Sequence, residues 1–254
     1  MQYQTHDVTE LGVPAAGTLG VYLAPGWYAG NVGMFGPHQY GEHPALLAQL
    51  EVDYADGSTQ RVVSDTGWSA STGPVVSADL LDGETYDARK ETPGWTSAGF
   101  DDTGWLGVGE ADGVVPERVV AQVDAPVRVT QELTPVGVSE PRPGVFVFDL
   151  GRNMVGSVRL RVRGRAGTVV RLRHAEVLDP DGTIYTANLR SAKATDTYVL
   201  KGGGTETYEP RFTFHGFRYV EVTGFPAPTV RAVTGRVMHT DARRRSRSRP
   251  TRRC

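Results

Sequence analysis

The strongest constraint on this chain lies in Ser157-Val158-Arg159-Leu160-Arg161-Val162-Arg163, where apolar side chains alternate strictly with three arginines. A period of two belongs to a β-strand with one face buried and the other in water. Val170-Arg171-Leu172-Arg173 repeats it, and residues 194–200 and 212–222 read as further strands joined across Lys201-Gly202-Gly203-Gly204. Asp179-Pro180-Asp181-Gly182 has turn chemistry. In the first half, residues 46–54 and 59–64 flank Asp56-Gly57, a hairpin signal. No segment has helical length and period. With 31 Gly and 16 Pro in 254 residues, the elements must be short, which excludes a long helical bundle. The expected fold is all-β: two consecutive antiparallel β-sandwiches of about 100 residues each.

Charge divides the chain. Residues 1–127 carry 4 basic and 18 acidic side chains, residues 128–241 carry 16 and 11, and residues 242–254 carry 7 arginines and no acid. The segment sums are −14, +5 and +7, giving the overall −2. Several prolines between residues 116 and 143 coincide with the change of sign, so the expected division is a first sandwich over 1–127, a second over 128–241, and a disordered arginine-rich tail over 242–254. Trp27, Trp68, Trp95 and Trp105 all fall in the first segment. Rings at such spacing fill a sandwich core, and that is the expectation for Trp27 too, although its Gly26-Trp27-Tyr28 context would let a ring face a ligand.

Several chemistries are disfavoured. No run reaches the ~18 apolar residues of a membrane span, and the first residues lack the order of a signal peptide. No membrane partner is expected, and localisation stays unassigned. The only cysteine is Cys254, which excludes a disulfide framework and a paired-cysteine metal site. Lys201-Gly-Gly-Gly lacks the ending of a phosphate loop. Seven tail arginines raise the alternative of nucleic-acid binding, but the body they follow is −9 and shows no base-reading motif, so no nucleic-acid partner is expected.

Six strings occur in order: Tyr3-Gln4-Thr5-His6-Asp7-Val8-Thr9, Pro25-Gly26-Trp27-Tyr28, Gly83-Glu84-Thr85-Tyr86-Asp87-Ala88-Arg89, Phe148-Asp149-Leu150-Gly151-Arg152-Asn153, Arg173-His174-Ala175-Glu176-Val177-Leu178, and the run PRFTFHGFRYVEVTG over residues 210–224. Together they resemble the amino-terminal half of bacterial α-L-rhamnosidases of glycoside hydrolase family 78. The resemblance implies a jelly-roll rhamnose-binding module that can use calcium, then a concanavalin-like sandwich, with a catalytic (α/α)6 barrel after both. It implies L-rhamnose or rhamnosylated glycans and that barrel as partners. Gly151-Arg152-Asn153 departs from the family's Gly-Gln-Asn, and after Asp241 the text turns to arginine and serine. The chain is therefore expected to lack the barrel and to be inactive alone; the alternative is that it is an active α-L-rhamnosidase in its own right.

Glycoside hydrolysis needs two carboxyl groups roughly 5 to 9.5 Å apart across the scissile bond. Glu84 with Asp87, and Asp101 with Asp102, are acidic pairs, but no catalytic residue is assigned. The expected sugar-recognition set is Trp27, Tyr28, Glu84, Tyr86, Asp87 and Arg89: carboxylates accept from sugar hydroxyls, and aromatic rings cover the apolar sugar face. The competing reading is a surface ion pair of Glu84 with Arg89 and a turn capped by Asp87. Asn31, Asp79 and Asp82 are weaker candidates for calcium. His174 with Glu176 has the spacing of a hydrogen-bonded strand pair. His215 and Arg218 are expected at an interface with the barrel. A first sandwich entered partway through its strands would expose an unpaired edge, so poor solubility is expected for the isolated chain. A sharp cooperative melt with a monomeric elution volume would contradict that.

Overall fold

The computed structural model describes residues 1–11, 17–111, 118–225 and 228–242. The tail over 243–254 lies outside them. The described chain is all-β, and its longest helix is the single turn α1 (Gly26–Ala29). The first segment holds β1 (Gln2–Tyr3), β2 (Gln49–Asp53), β3 (Thr59–Val63), β4 (Ser69–Ala70), β5 (Val75–Asp79), β6 (Gly83–Asp87), β7 (Leu106–Gly107) and β8 (Val120–Ala121). The second holds β9 (Val127–Leu133), β10 (Gly137–Arg142), β11 (Val145–Arg163), β12 (Val169–Ala175), β13 (Thr195–Val199), β14 (Thr205–Tyr208), β15 (His215–Thr223) and β16 (Val233–Thr240). The pairs β1 with β8, β2 with β3 and β4 with β7 stand as separate two-stranded pieces. The hairpin β2–β3 turns at Gly57, whose φ of 84° is what the Asp-Gly signal predicts.

The remaining strands form one ten-stranded sheet in the order β5-β6-β13-β12-β15-β11-β16-β9, with β10 and β14 added to β11. The nineteen residues of β11 organise it. Its first part pairs with β10 and β15, and its last part with β16 and β14. The register breaks between Asp149 and Met154, and Gly156 then takes φ 154° with its Cα against a carbonyl. A Cβ there would sit 1.9 Å from the Arg236 oxygen, so only glycine lets the strand pass from one set of neighbours to the other. Beyond it the alternation holds as read: Val158, Leu160 and Val162 are buried, while Arg161 and Arg163 are exposed.

Strands β5 and β6, from the segment assigned to the first sandwich, are hydrogen-bonded into this sheet. Antiparallel β5–β6 joins it through a parallel pairing of β6 with β13, with Tyr86 opposite Tyr198. The fully buried core is Phe148, Leu160, Leu172, Leu200, Phe217 and the valines around them. The tryptophans lie elsewhere. Trp95 stacks on Trp105 at 6.2 Å and takes Tyr22 edge-on at 5.0 Å, forming a half-buried aromatic cluster. Trp27 departs from its expected place in a core: it is 49% exposed on α1.

Replacing Phe217, which is wholly buried against His174 and the valine core, with Ala is expected to cost about 3–5 kcal/mol. The same truncation at Val123, 88% exposed, should stay within about 0.5 kcal/mol. Chemical denaturation of the two variants checks the contrast.

Candidate functional site

Strand parity builds two unlike faces on the five strands β5, β6, β13, β12 and β15. Because Leu172 pairs with Asp196 and with Val222, and His174 with Val220, one face carries Leu172, His174, Asp196, Tyr198, Val220 and Val222 into the core. The opposite face carries Ser77, Thr85, Arg171, Arg173, Thr197, Glu221 and Thr223 outward, and these line the larger cleft, about 750 Å³. Its rim is completed by Asp79, Asp82, Arg190 and Lys193. Such a surface, rich in hydroxyls with carboxylates and guanidiniums at intervals, offers many hydrogen-bonding positions to a polyhydroxylated ligand.

The loop after α1 is fastened to one end of this cleft. The Asn31 backbone N–H and Nδ2 donate to Asp79 Oδ2 at 2.8 and 3.0 Å, while Leu81 N and Asp82 N donate to Asp79 Oδ1 at 2.8 and 3.0 Å. Burial opposes ionisation of Asp79, but these four donors together hold its carboxyl below the usual range. Lys193 donates its Nζ to Asp82 Oδ2 at 2.6 Å and its backbone N–H to Oδ1 at 3.1 Å. Arg190 reaches Met34 Sδ at 3.5 Å. The exposed rings of Trp27 and Tyr28 therefore belong to a segment anchored at the cleft. The calcium expectation does not fit Asn31, Asp79 and Asp82 as folded. Each Asp79 oxygen already accepts two N–H donors and Asp82 holds an ammonium, whereas calcium needs several oxygens directed at one point.

Parity separates Glu84 and Tyr86 from this cleft. Glu84 and Tyr86 point to the side of Asp196 and Tyr198. Glu84 is fully buried and accepts from Tyr208 Oη at 3.1 Å, Arg211 N at 3.0 Å and Phe212 N at 3.2 Å. Burial pushes its carboxyl above the usual range, against the pull of those donors. A carboxylate so placed is closed to a solvent-borne sugar, which corrects its place in the recognition set. Asp87 is buried as well: it accepts from Arg89 N at 3.1 Å, capping the turn Ala88–Lys90, and from the Arg89 guanidinium at 2.9 and 2.8 Å. The capped turn is as the competing reading had it, but the partner of Arg89 is Asp87 and not Glu84. Tyr86 stacks with Tyr198 and Tyr208 along a smaller cleft of about 380 Å³ that also includes Glu91, Glu209 and Arg211. All three tyrosine hydroxyls donate inward, to Glu91, Glu206 and Glu84.

The other candidates find definite partners. Asp101 accepts from Thr103, and Asp102 accepts from Ser69 Oγ at 2.5 Å. The expected His174–Glu176 pair does not form, because β12 ends at Ala175 and Glu176 turns to accept from Asn153 Nδ2 at 2.8 Å. His174 is instead in the core, where burial, then the neighbouring His215, pushes its imidazole down to about 3. His215, expected at a domain interface, is 6% exposed and stacks on His174 with centroids 4.2 Å apart, since it shares the inward face of β15 with Phe217. Nothing in the sequence identified Asp196, which sits between these imidazoles; only the pairing of β12 with β13 brings it there. Arg218 is half-exposed and grips Asp149 with two hydrogen bonds of 2.8 Å.

The Arg218 guanidinium holds the Asp149 carboxyl below the usual range, so the pair stabilises the fold above that range and is lost as pH falls through the lowered value. At these exposures it is worth about 1 kcal/mol. Asp149→Asn is expected to lower Tm at neutral pH and to flatten the acid limb of the Tm curve below about pH 4, checked by melts across pH.

Two family profiles match in tandem. Residues 1–131 match the α-L-rhamnosidase N-terminal domain, and residues 139–239 match the bacterial α-L-rhamnosidase concanavalin-like domain. The chain is similar to an α-L-rhamnosidase of Streptomyces avermitilis, 73% identical over 243 residues, which are 95% of this chain and 24% of that protein. An α-L-rhamnosidase of Formosa agariphila is 41% identical over 228 residues, 88% of this chain and 24% of the relative. Among solved structures, the Streptomyces avermitilis α-L-rhamnosidase complexed with L-rhamnose superposes with a TM-score of 0.85 at 76% identity, covering 87% of this chain and 22% of that one. The Aspergillus terreus α-L-rhamnosidase does so with a TM-score of 0.80 at 42% identity, covering 85% and 25%. The chain thus spans about a quarter of the length of the curated relatives it matches, and by its N-terminal and concanavalin-like profiles it belongs to the bacterial α-L-rhamnosidase family.

Proposed function

We propose that this chain is the carbohydrate-binding and scaffold portion of an α-L-rhamnosidase, and that it takes L-rhamnose, free or at the end of a glycan, in the cleft on the outer face of β6, β13 and β12. The observation that carries the reading is the joining of two features at one place. A hydroxyl-rich floor with paired charges has at its rim Asp79 and Arg190, which hold Asn31 and Met34 of the segment that follows two exposed rings, Trp27 and Tyr28. Thr85, Thr195 and Thr197 supply hydroxyls, Asp82 and Lys193 supply an acceptor and a donor at the rim, and Trp27 supplies a flat apolar surface for the hydrophobic side of the deoxysugar. In this reading Tyr86, Asp87 and Arg89 shape β6 and its following turn and do not touch the sugar. No carboxylate pair faces the cleft free of partners in the way general acid and nucleophile require, so hydrolysis belongs to the part of the relatives that lies beyond this chain's match.

Titration of the labelled chain with L-rhamnose should shift resonances of Trp27, Thr85 and Thr197 with a Kd near 1 mM, about 4 kcal/mol. Trp27→Ala should weaken binding roughly tenfold, and Tyr86→Phe, on the opposite face of β6, should leave it unchanged. Shifts confined to Tyr86, Tyr198 and Tyr208 would move the site to the smaller cleft. Absence of shifts at 10-fold higher sugar, with and without calcium, together with release of aryl alcohol from a chromogenic α-L-rhamnoside, would favour an active enzyme over a binding scaffold.

A further inference from the structure

His174, Asp196 and His215 lie on three adjacent strands, β12, β13 and β15, and all three are buried. His174 Nδ1 is 3.0 Å from the Ala194 carbonyl oxygen, which can only accept, so Nδ1 carries the proton and Nε2 is the nitrogen left for another role. That Nε2 faces Asp196 Oδ2 at 3.8 Å, and among the described residues neither atom has a hydrogen-bond partner. The other carboxylate oxygen, Oδ1, accepts from Glu84 N at 3.0 Å and lies 3.3 Å from His215 Nε2. The arrangement leaves a bare imidazole nitrogen and a bare carboxylate oxygen opposite each other in a site closed to solvent. Buried polar atoms are rarely left so, because each unmet group costs roughly 1–3 kcal/mol.

We propose that His174, Asp196 and His215 form a structural site for a divalent transition metal, with zinc as the ion that matches their donors. Two imidazoles and a carboxylate are the nitrogen and oxygen ligands zinc takes, at about 2.0–2.2 Å, which places tetrahedral donors about 3.3–3.6 Å apart. His215 Nε2 lies 3.3 Å from Asp196 Oδ1, within that span, His174 Nε2 lies 3.8 Å from Oδ2, just beyond it, and the three donor atoms all fall within 4.8 Å of one another. The Nδ1–H of His174 held by a backbone carbonyl is the outer contact that fixes a metal-binding imidazole in its tautomer and orientation. Seating the ion draws the Nε2 edges together and turns the rings out of their 21° stack. Paired imidazoles select against calcium and magnesium, which favour all-oxygen cages. The bound ion would staple β13, β12 and β15 from the core side and, through the Glu84 amide on Asp196, fix β6 as well.

The test uses the whole chain, produced in zinc-supplemented medium and desalted. Elemental analysis should find about one zinc per chain, and cobalt substitution should give visible d–d absorption. Stripping with a chelator should lower Tm, and zinc but not calcium should restore it by about 5 °C or more. Asp196→Asn, which keeps the acceptor for the Glu84 amide, should lose the ion. If that variant does not fold, the cobalt spectrum and the chelator melt of the unaltered chain decide. Less than about a tenth of an ion per chain with a chelator-insensitive Tm overturns the proposal. So does a nitrogen spectrum showing His174 protonated at Nε2, because a second proton then fills the gap.

Discussion

A strand of nineteen residues cannot remain in one flat pairing, and the whole sheet is arranged around how β11 resolves this. It bulges after Asp149, pairs with β15 again over residues 154–156, and exchanges β15 for β16 and then β14 from Gly156 onward, where a side chain would collide with the Arg236 carbonyl. Such breaks bend a strand and raise its twist, which brings two runs of the sheet over a shared core. Phe148 and Leu150 before the break, and Val158, Leu160 and Val162 after it, all enter the same cluster. Were β11 to end at residue 150, the strands beyond would have no template to pair with.

The sheet that β11 holds together divides its chemistry between its faces. One face is closed, and its polar groups are satisfied by each other: Glu84 by Tyr208 and two amides, Glu206 by Tyr198 and the amides of Lys201 and Gly202. The other face is open and lined with threonine, serine and paired charges. Among the described residues, the buried side-chain atoms left unmet are His174 Nε2 and Asp196 Oδ2 of the histidine cluster and Thr213 Oγ1 just before β15. A buried carboxylate with all its acceptors engaged holds a fold in place, whereas one with a lone pair to spare marks a position where something further belongs.

The all-β class, the Asp-Gly hairpin, the inward and outward sides of residues 158–163 and the turn at Asp179-Pro-Asp-Gly were legible because period and turn chemistry are local. The site was legible in part. Trp27 and Tyr28 were visible as aromatics among turn residues, but composition alone favoured burial for Trp27, and only the fold shows its ring half-exposed on α1. Glu84 and Tyr86 share a strand face with Asp196 and Tyr198 because of a parallel pairing between residues more than a hundred positions apart, and no local pattern encodes that register. The alternation in Gly83-Glu84-Thr85-Tyr86 did contain the signal that Thr85 and not Glu84 faces the cleft. It could be used only once the buried side was known. Asp196 stayed unseen for the same reason, since an aspartate in a threonine-rich strand reads as solvent-facing.

The hairpin β5–β6 carries one more implication, for inheritance. The two family profiles meet between residues 131 and 139, yet the sheet of the second includes two strands from within the first. A gene fusion or exchange that broke at the profile border would separate β13 from its neighbour β6, and Tyr208 from Glu84, leaving a bare strand edge on one product and a stranded acid on the other. The two segments are consequently one heritable unit, and sequence change at Glu84 and at residues 208–212 should be selected as a pair even though the chain places them on opposite sides of the border.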